Sequence, residues 1–92
     1  MRISICIPQY NRIEYLIKSL EIISFQTHND IEIIISDDCS TDDTKFQIEQ
    51  LQKNYKYPLI YHRFDTNQGY DRNLRKSMEL ASGYYCFVLG ND

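Results

Sequence analysis

Four aspartates stand within the nine residues "SDDCSTDDT", Ser36 to Thr44, directly behind the apolar run "IEIII". Carboxylates crowded at the end of a strand repel one another unless hydrogen-bond donors or cations reach them. Asp42 and Asp43 have an ordinary use. They fall in the first turn of a helix expected to begin near Thr41, with Ser40 or Thr41 as N-cap, where the helix dipole favours negative charge. Asp37 and Asp38 precede that cap, so helix stabilisation does not account for both, and they read as ligand-facing acceptors. A carboxylate so placed accepts from the N–H of a pyrimidine ring or from ribose hydroxyls. Asp92 follows the run "YYCFVL" and is placed to hold a hard divalent ion, which binds through one or two carboxylates plus substrate phosphates. Neither G-x-G-x-x-G nor G-x-x-x-x-G-K-[ST] occurs, so the glycine-rich phosphate cradles are missing and a cation must handle any diphosphate.

These side chains need strands and helices to position them. The runs "ISICI", "IEIII", "PLIYHRF" and "YYCFVL" are short and rich in β-branched or aromatic residues, as expected of strands covered on both faces. Between the first two, Ile13, Leu16, Ile17, Leu20 and Ile23 recur at helical spacing, and Asn11 with Glu14 suggests a capping box. A second helix carries Thr44, Ile48 and Leu51 on one face and is closed by Pro58. A third is expected to turn Tyr70, Leu74, Ser77, Met78 and Ala81 inward and to stop at Gly83. The order βαβαβαβ predicts an α/β, Rossmann-like fold with a four-stranded, mostly parallel sheet flanked by helices. Ligands of such sheets bind at the carboxyl ends of the strands. The segments "PQYNR", "SDDCSTDD", "FDTNQGYDRN" and "GND" each follow a strand, so they share that rim.

Composition narrows the partners. At 92 residues the chain is one domain at most, and 42% hydrophobic with 25% charged residues describes a globular fold, not a disordered one. A net charge of −3 argues against nucleic acid, whose binding rests on clustered Lys and Arg. No apolar window approaches a membrane span and no signal peptide is recognisable, so a cytoplasmic location is expected. Cys6, Cys39 and Cys86 lack metal-ligand spacing and read as reduced and mostly buried, with Cys6 and Cys86 inside strands. His28 reads as solvated, His62 as half-buried or edge-facing, and Tyr55, Tyr57 and Tyr61 as packing residues in preference to a carbohydrate platform.

"ISICIPQYNR" resembles the "SVIIPTYNR"-like opening of family 2 glycosyltransferases, and "IEIIISDDCSTDDT" resembles their "EIIVVDDGSTDDT"-like second strand. "NQGYDRNLRKSMELASGYYCFVLGND" is similar to the segment leading into their metal-binding D-x-D. Three blocks in order, over almost the whole chain, imply the nucleotide-binding half of a GT-A fold. The resemblance implies that Pro8, Tyr10 and Asn11 line a nucleotide pocket, that Asp38 reads the nucleobase with Asp37 beside it, and that Arg72 approaches base or diphosphate. It also implies that Asp92 coordinates Mn2+ or Mg2+. The implied activity is inverting transfer of a sugar from a UDP- or dTDP-linked donor to an acceptor glycan or lipid-linked sugar in cell-surface polysaccharide synthesis, at the inner face of the membrane. Residues 1–92 then form the donor-binding domain alone. The acceptor-binding half and the catalytic base are expected outside it, so no catalytic residue is assigned and the chain is expected to be inactive by itself. Gly90 and Asn91 stand where the family often has Asp and a variable residue. Cys39 replaces a glycine, and a positive φ there would be strained. The competing readings are a noncatalytic nucleotide-binding or structural fragment and, less well supported by three glycines, a nucleotidyltransferase. An exposed sheet edge predicts homo-oligomers.

Overall fold

The computed structural model describes residues 2–90. Strands β1 (Ile3–Gln9), β2 (Ile31–Asp37), β3 (Leu59–Arg63) and β4 (Tyr85–Val88) alternate with helices α1 (Ile13–Ser24), α2 (Thr44–Leu51) and α3 (Tyr70–Glu79). All strand pairs are parallel, in the order β3-β2-β1-β4. The register sets Gln9 opposite Asp37 and Asp37 opposite Arg63, so β1, β2 and β3 end level at one rim. The expected α/β sheet is therefore formed, and it is wholly parallel. No described helix is long and apolar enough to cross a membrane.

The two faces of the sheet are built from different chemistry, because successive residues of a strand point to opposite sides. Ile7, Ile33 and Ile35 join Leu16, Leu20 and Ile23 of α1, Ile48 of α2, and Tyr57 and Leu59 in one apolar cluster. The alternate positions Ser4, Cys6, Glu32 and Ser36 are buried on the other side, where α3 lies. There the contact is polar. Ser36 Oγ donates to Asn73 Oδ1 at 2.7 Å, and Cys6 Sγ donates to the Ser77 carbonyl at 3.5 Å. Of the residues expected inward on α3, Ser77 is buried, with Asn73 beside it, whereas Tyr70 and Met78 are exposed. Helical spacing was read correctly, but the face it presents is chosen by small polar partners on β1 and β2 rather than by apolar area.

Glu32 fastens the far end of this polar layer. Its carboxylate accepts from Ser4 Oγ, the Ser82 N–H and the Ser82 hydroxyl, with Arg2 at 3.5 Å. Burial would raise its pKa, but these donors together hold it below the usual value. Gly83 does not terminate α3, which ends at Glu79. A Cβ at Gly83 would lie 2.6 Å from Ser4 Oγ and 2.8 Å from the Arg2 carbonyl, so glycine is needed for close approach to β1.

Three further expectations are corrected. β4 is exposed along its length and Cys86 with it, because among the described residues β4 is an edge strand hydrogen-bonded to β1 on one side. The Asn11–Glu14 capping box does not form: α1 starts at Ile13 and has no side-chain cap from its own N-cap residue. Likewise α2 starts at Thr44, with Asp42 and Asp43 before its first turn and with neither Ser40 nor Thr41 as its N-cap. The tyrosine reading holds. Tyr57 is buried and donates to the Gln26 and His28 carbonyls, Tyr55 donates to the Leu20 carbonyl, and Tyr61 to Asp37.

Candidate functional site

The loops after β1 and β2 are tied by reciprocal side-chain-to-backbone hydrogen bonds. Asn11 adopts φ 49°, a left-handed conformation that asparagine tolerates, and its side-chain oxygen accepts from the Thr41 and Asp42 N–H groups at 2.7 and 3.1 Å. Asp42 answers in the other direction, its Oδ2 accepting from the Ile13 N–H at 3.1 Å and its Oδ1 from the Thr44 N–H. Asp42 thereby satisfies the first orphan donor of α1 as well as that of its own helix, while Asn11 holds the chain just ahead of α2. The spacing predicts Asn11 with Glu14 at the start of one helix and Asp42 in the first turn of the other; the parallel register of β1 and β2 is what brings the two loops together.

Asp37 lies beneath this crossing, with no solvent exposure. Its Oδ1 accepts from the Ser40 N–H at 3.0 Å and from the Ser40 hydroxyl, while Oδ2 accepts from Tyr61 Oη at 2.6 Å and faces Arg63 Nε at 3.9 Å. Burial, and then the Asp37 carboxylate, push the Tyr61 phenol far above its ordinary pKa. Arg63 also donates to the Ser40 carbonyl at 3.1 Å. Both oxygens of Asp37 are thus engaged within the protein, against the expectation that it faces a ligand. A carboxylate at the last position of a central strand has the sheet on either side of it and must be neutralised in place.

Asp38 points the other way, toward the α3 side. It lines a cleft of about 330 Å³ with Pro8 and Gln9 from the end of β1, Tyr10 and Arg12 from the loop that follows, Asn67 and Gly69 from the loop after β3, and Tyr70 and Asn73 from α3. The Asp38 oxygens accept from the Gln68 N–H at 2.6 Å and the Gly69 N–H at 3.0 Å, fixing the loop that forms the opposite wall. Gly69 has φ 94°, which only glycine adopts freely, so chain and carboxylate meet there without strain. Asn73 closes the floor, donating to the Gln9 carbonyl at 3.3 Å while accepting from Ser36. Tyr10 and Tyr70 are about half exposed at the two sides of the mouth.

Of the residues expected at the site, Pro8, Tyr10 and Asp38 are therefore together. Asn11 lies beside them and serves the loop crossing. Arg72 sits outside the cleft, on the exposed flank of α3, donating to Gln68 Oε1 at 3.0 Å. Asp92 lies outside the described residues, and among the described residues no three His, Cys, Asp or Glu side chains gather to hold a metal ion. Sequence reasoning missed Gln9, Arg12, Asn67, Gly69, Tyr70 and Asn73 as cleft residues. A signal existed in "NQGY", a glycine just ahead of a helix start on the same rim. Cys39 has φ 63°, so the strain expected of a non-glycine residue there is present.

The family model described as glycosyl transferase family 2 matches residues 4–92. Abequosyltransferase RfbV of Salmonella typhimurium is 49% identical over 94 residues, a match covering 100% of this chain and 28% of that protein. The crystal structure of S. aureus TarS 1–349 in complex with UDP superposes with a TM-score of 0.89 at 26% identity, over 100% of this chain and 28% of the other. Mannosyltransferase PcManGT from Pyrobaculum calidifontis, in complex with GDP-Man and Mn2+, shares the fold with a TM-score of 0.86 at 20% identity, over 99% of this chain and 27% of its own. The chain spans less than a third of the length of each of these proteins.

Proposed function

Because this chain belongs to glycosyl transferase family 2, we propose that its rim cleft seats the nucleoside of a nucleotide-sugar donor, and that residues 1–92 act as the donor-binding part of an inverting glycosyltransferase. The observation that carries this reading is the meeting of Asp38, Tyr10 and Pro8 in one cleft at the carboxyl ends of β1 and β2. A carboxylate offers about four acceptor sites, and the two loop N–H groups occupy two of them, which leaves Asp38 able to accept from a pyrimidine N–H. Tyr10, half exposed, offers a ring for the base to lie against, and the Pro8 backbone borders the same space. Asp37 acts behind them by holding Ser40, and through it the Asn11 loop.

The proposed reaction joins an acceptor hydroxyl of a glycan or lipid-linked sugar to the sugar carbon as the diphosphate leaves, on the cytoplasmic side of the membrane. A general base takes the hydroxyl proton. Neither Asp37 nor Asp38 is assigned that role: the first is buried and the second is engaged with the donor. A divalent ion, Mn2+ or Mg2+, held at Asp92 would supply positive charge to the leaving diphosphate. Such donors are UDP- or dTDP-linked in this proposal, and the TarS complex with UDP supports it.

Calorimetric titration with UDP, dTDP and GDP, each with and without Mn2+, tests the reading. Tyr10→Ala should weaken UDP about tenfold, the scale of one lost base-stacking contact, while leaving the fold intact. Asp92→Ala should abolish the effect of Mn2+ on affinity. Failure of a folded protein to bind any of the three nucleotides would overturn the proposal.

A further inference from the structure

We propose that the flank of α3 beside β3 is a phosphate-binding site separate from the nucleotide cleft, formed by Arg72, Arg75 and Lys76. Residues at these spacings share one side of a helix. Here they line a surface hollow of about 340 Å³ with Phe64, which follows β3, and Glu79. Three of its four charged side chains are cationic, on a chain whose net charge is −3. None of the three lines the cleft that holds Asp38 and Tyr10.

Their charge is largely unspent. Arg72 donates to the neutral amide of Gln68. Lys76 meets Glu79 only at 3.9 Å, with Glu79 mostly exposed. Arg75 has no hydrogen-bond or ion-pair partner among the described residues. The other acids nearby are Asp71, which lines the adjoining hollow with Arg72 and Arg75, and Asp65, which acts on His62. Two guanidinium forks and an ammonium suit the oxygens of a doubly charged phosphate better than a single carboxylate, because each fork binds two oxygens and the ammonium adds a point charge. The ligand class is therefore a phosphomonoester or terminal phosphate, carried by a soluble sugar or by a lipid headgroup.

A reporter lies directly behind the hollow. The His62 ring packs edge-on against Phe64 at 4.6 Å, and its Nε2 is buried without a hydrogen-bond partner among the described residues. Burial and then the charge of Lys76 hold its pKa below the ordinary value. An anion seated against Lys76 must offset that charge and raise the His62 pKa, which a merely structural role of these cations would not do.

The test is an NMR titration of the protein with inorganic phosphate at constant ionic strength, following the His62 imidazole and arginine side-chain signals. It is repeated with UDP present and on Arg75→Gln and Lys76→Gln; Arg75 is exposed, so its replacement leaves the core untouched. The proposal expects saturable binding, a raised His62 pKa, indifference to UDP, and affinity about tenfold weaker in Arg75→Gln, as for one charge-assisted contact. Absence of saturation, equal binding by both variants, or displacement of phosphate by UDP would each overturn it. Sedimentation with phosphatidylcholine vesicles, with and without phosphatidic acid, then separates the sources. Binding that requires phosphatidic acid supports a lipid headgroup, and phosphate binding without vesicle binding supports a soluble phosphoester. Both readings retain the site, and the phosphate titration does not depend on whether the cleft binds a nucleotide.

Discussion

Asp37 and Asp38 are neighbours in sequence with opposite assignments, and the difference is measurable. Removing Asp37 leaves Tyr61 and Ser40 without their acceptor and a partly buried Arg63 without its ion-pair partner, so Asp37→Ala should cost about 2–4 kcal/mol of stability before any nucleotide is added. Asp38→Ala should instead weaken nucleotide binding at least about tenfold and free the Gln68–Gly69 backbone to exchange its amide protons. Denaturant titration and calorimetry on both variants decide this. Equal stability losses with unchanged affinity would sink the division of roles. Cys39 supplies a cleaner case of local strain. A residue with a Cβ in the left-handed region is penalised by about 1–2 kcal/mol, and glycine's extra freedom in the unfolded chain returns part of that. Cys39→Gly should therefore stabilise by about 0.5–1 kcal/mol, less the Sγ–H bond to the Asp65 carbonyl at 3.3 Å. A lowered denaturation midpoint would contradict it.

The helices hold to the sheet by unlike means, and they should fail under unlike conditions. α1 and α2 rest on the apolar cluster, where Leu20→Ala should cost about 2–5 kcal/mol at any pH. The layer containing α3 rests on Asn73, Ser77 and Glu32. The Glu32 pKa is depressed in the folded state, so its contribution is complete above the unfolded value of about 4.3 and is lost as pH falls through the folded value. His62 adds an earlier loss. Its folded pKa is also lowered, so the unfolded chain gains its proton first as pH drops below about 6.5, and stability falls from there. Glu32→Gln should lower stability near neutrality by about 1–3 kcal/mol and flatten the decline below pH 4.5 or so. An unchanged acid limb in that variant would show that other groups govern it. Periodicity alone located all three helices, yet it misjudged the inward face of α3. A hydrophobic pattern reports burial only where burial is apolar: Ser77 is inward as expected, but Asn73, buried by hydrogen bonding, takes the place expected of Tyr70 and Met78.

Across the molecule, β4 is an edge strand whose side chains Tyr85, Phe87 and Val88 are exposed, with Tyr84 and Leu89 beside it. Unpaired backbone along such an edge favours pairing with another chain. Light scattering should show association rising with concentration, and Phe87→Lys should suppress it; a monodisperse monomer at high concentration would remove the idea. The alternating order of strands and helices, their apolar spacing and the blocks "ICIPQYNR" and "SDDCSTDDT" were sufficient to determine the parallel α/β sheet, the rim on which the polar segments meet and the family. Those features follow from local periodicity and from the handedness of crossovers, which act on neighbours in the chain. Only the tertiary structure decided that Asp37 is enclosed within the protein while Asp38, itself only 4% exposed, lines a cleft, that Asn11 and Asp42 bridge the loops after β1 and β2, and that Arg72 joins Arg75 and Lys76 rather than the cleft. Each of those choices is made between residues distant in sequence, where strand register and the direction of a side chain determine which groups meet.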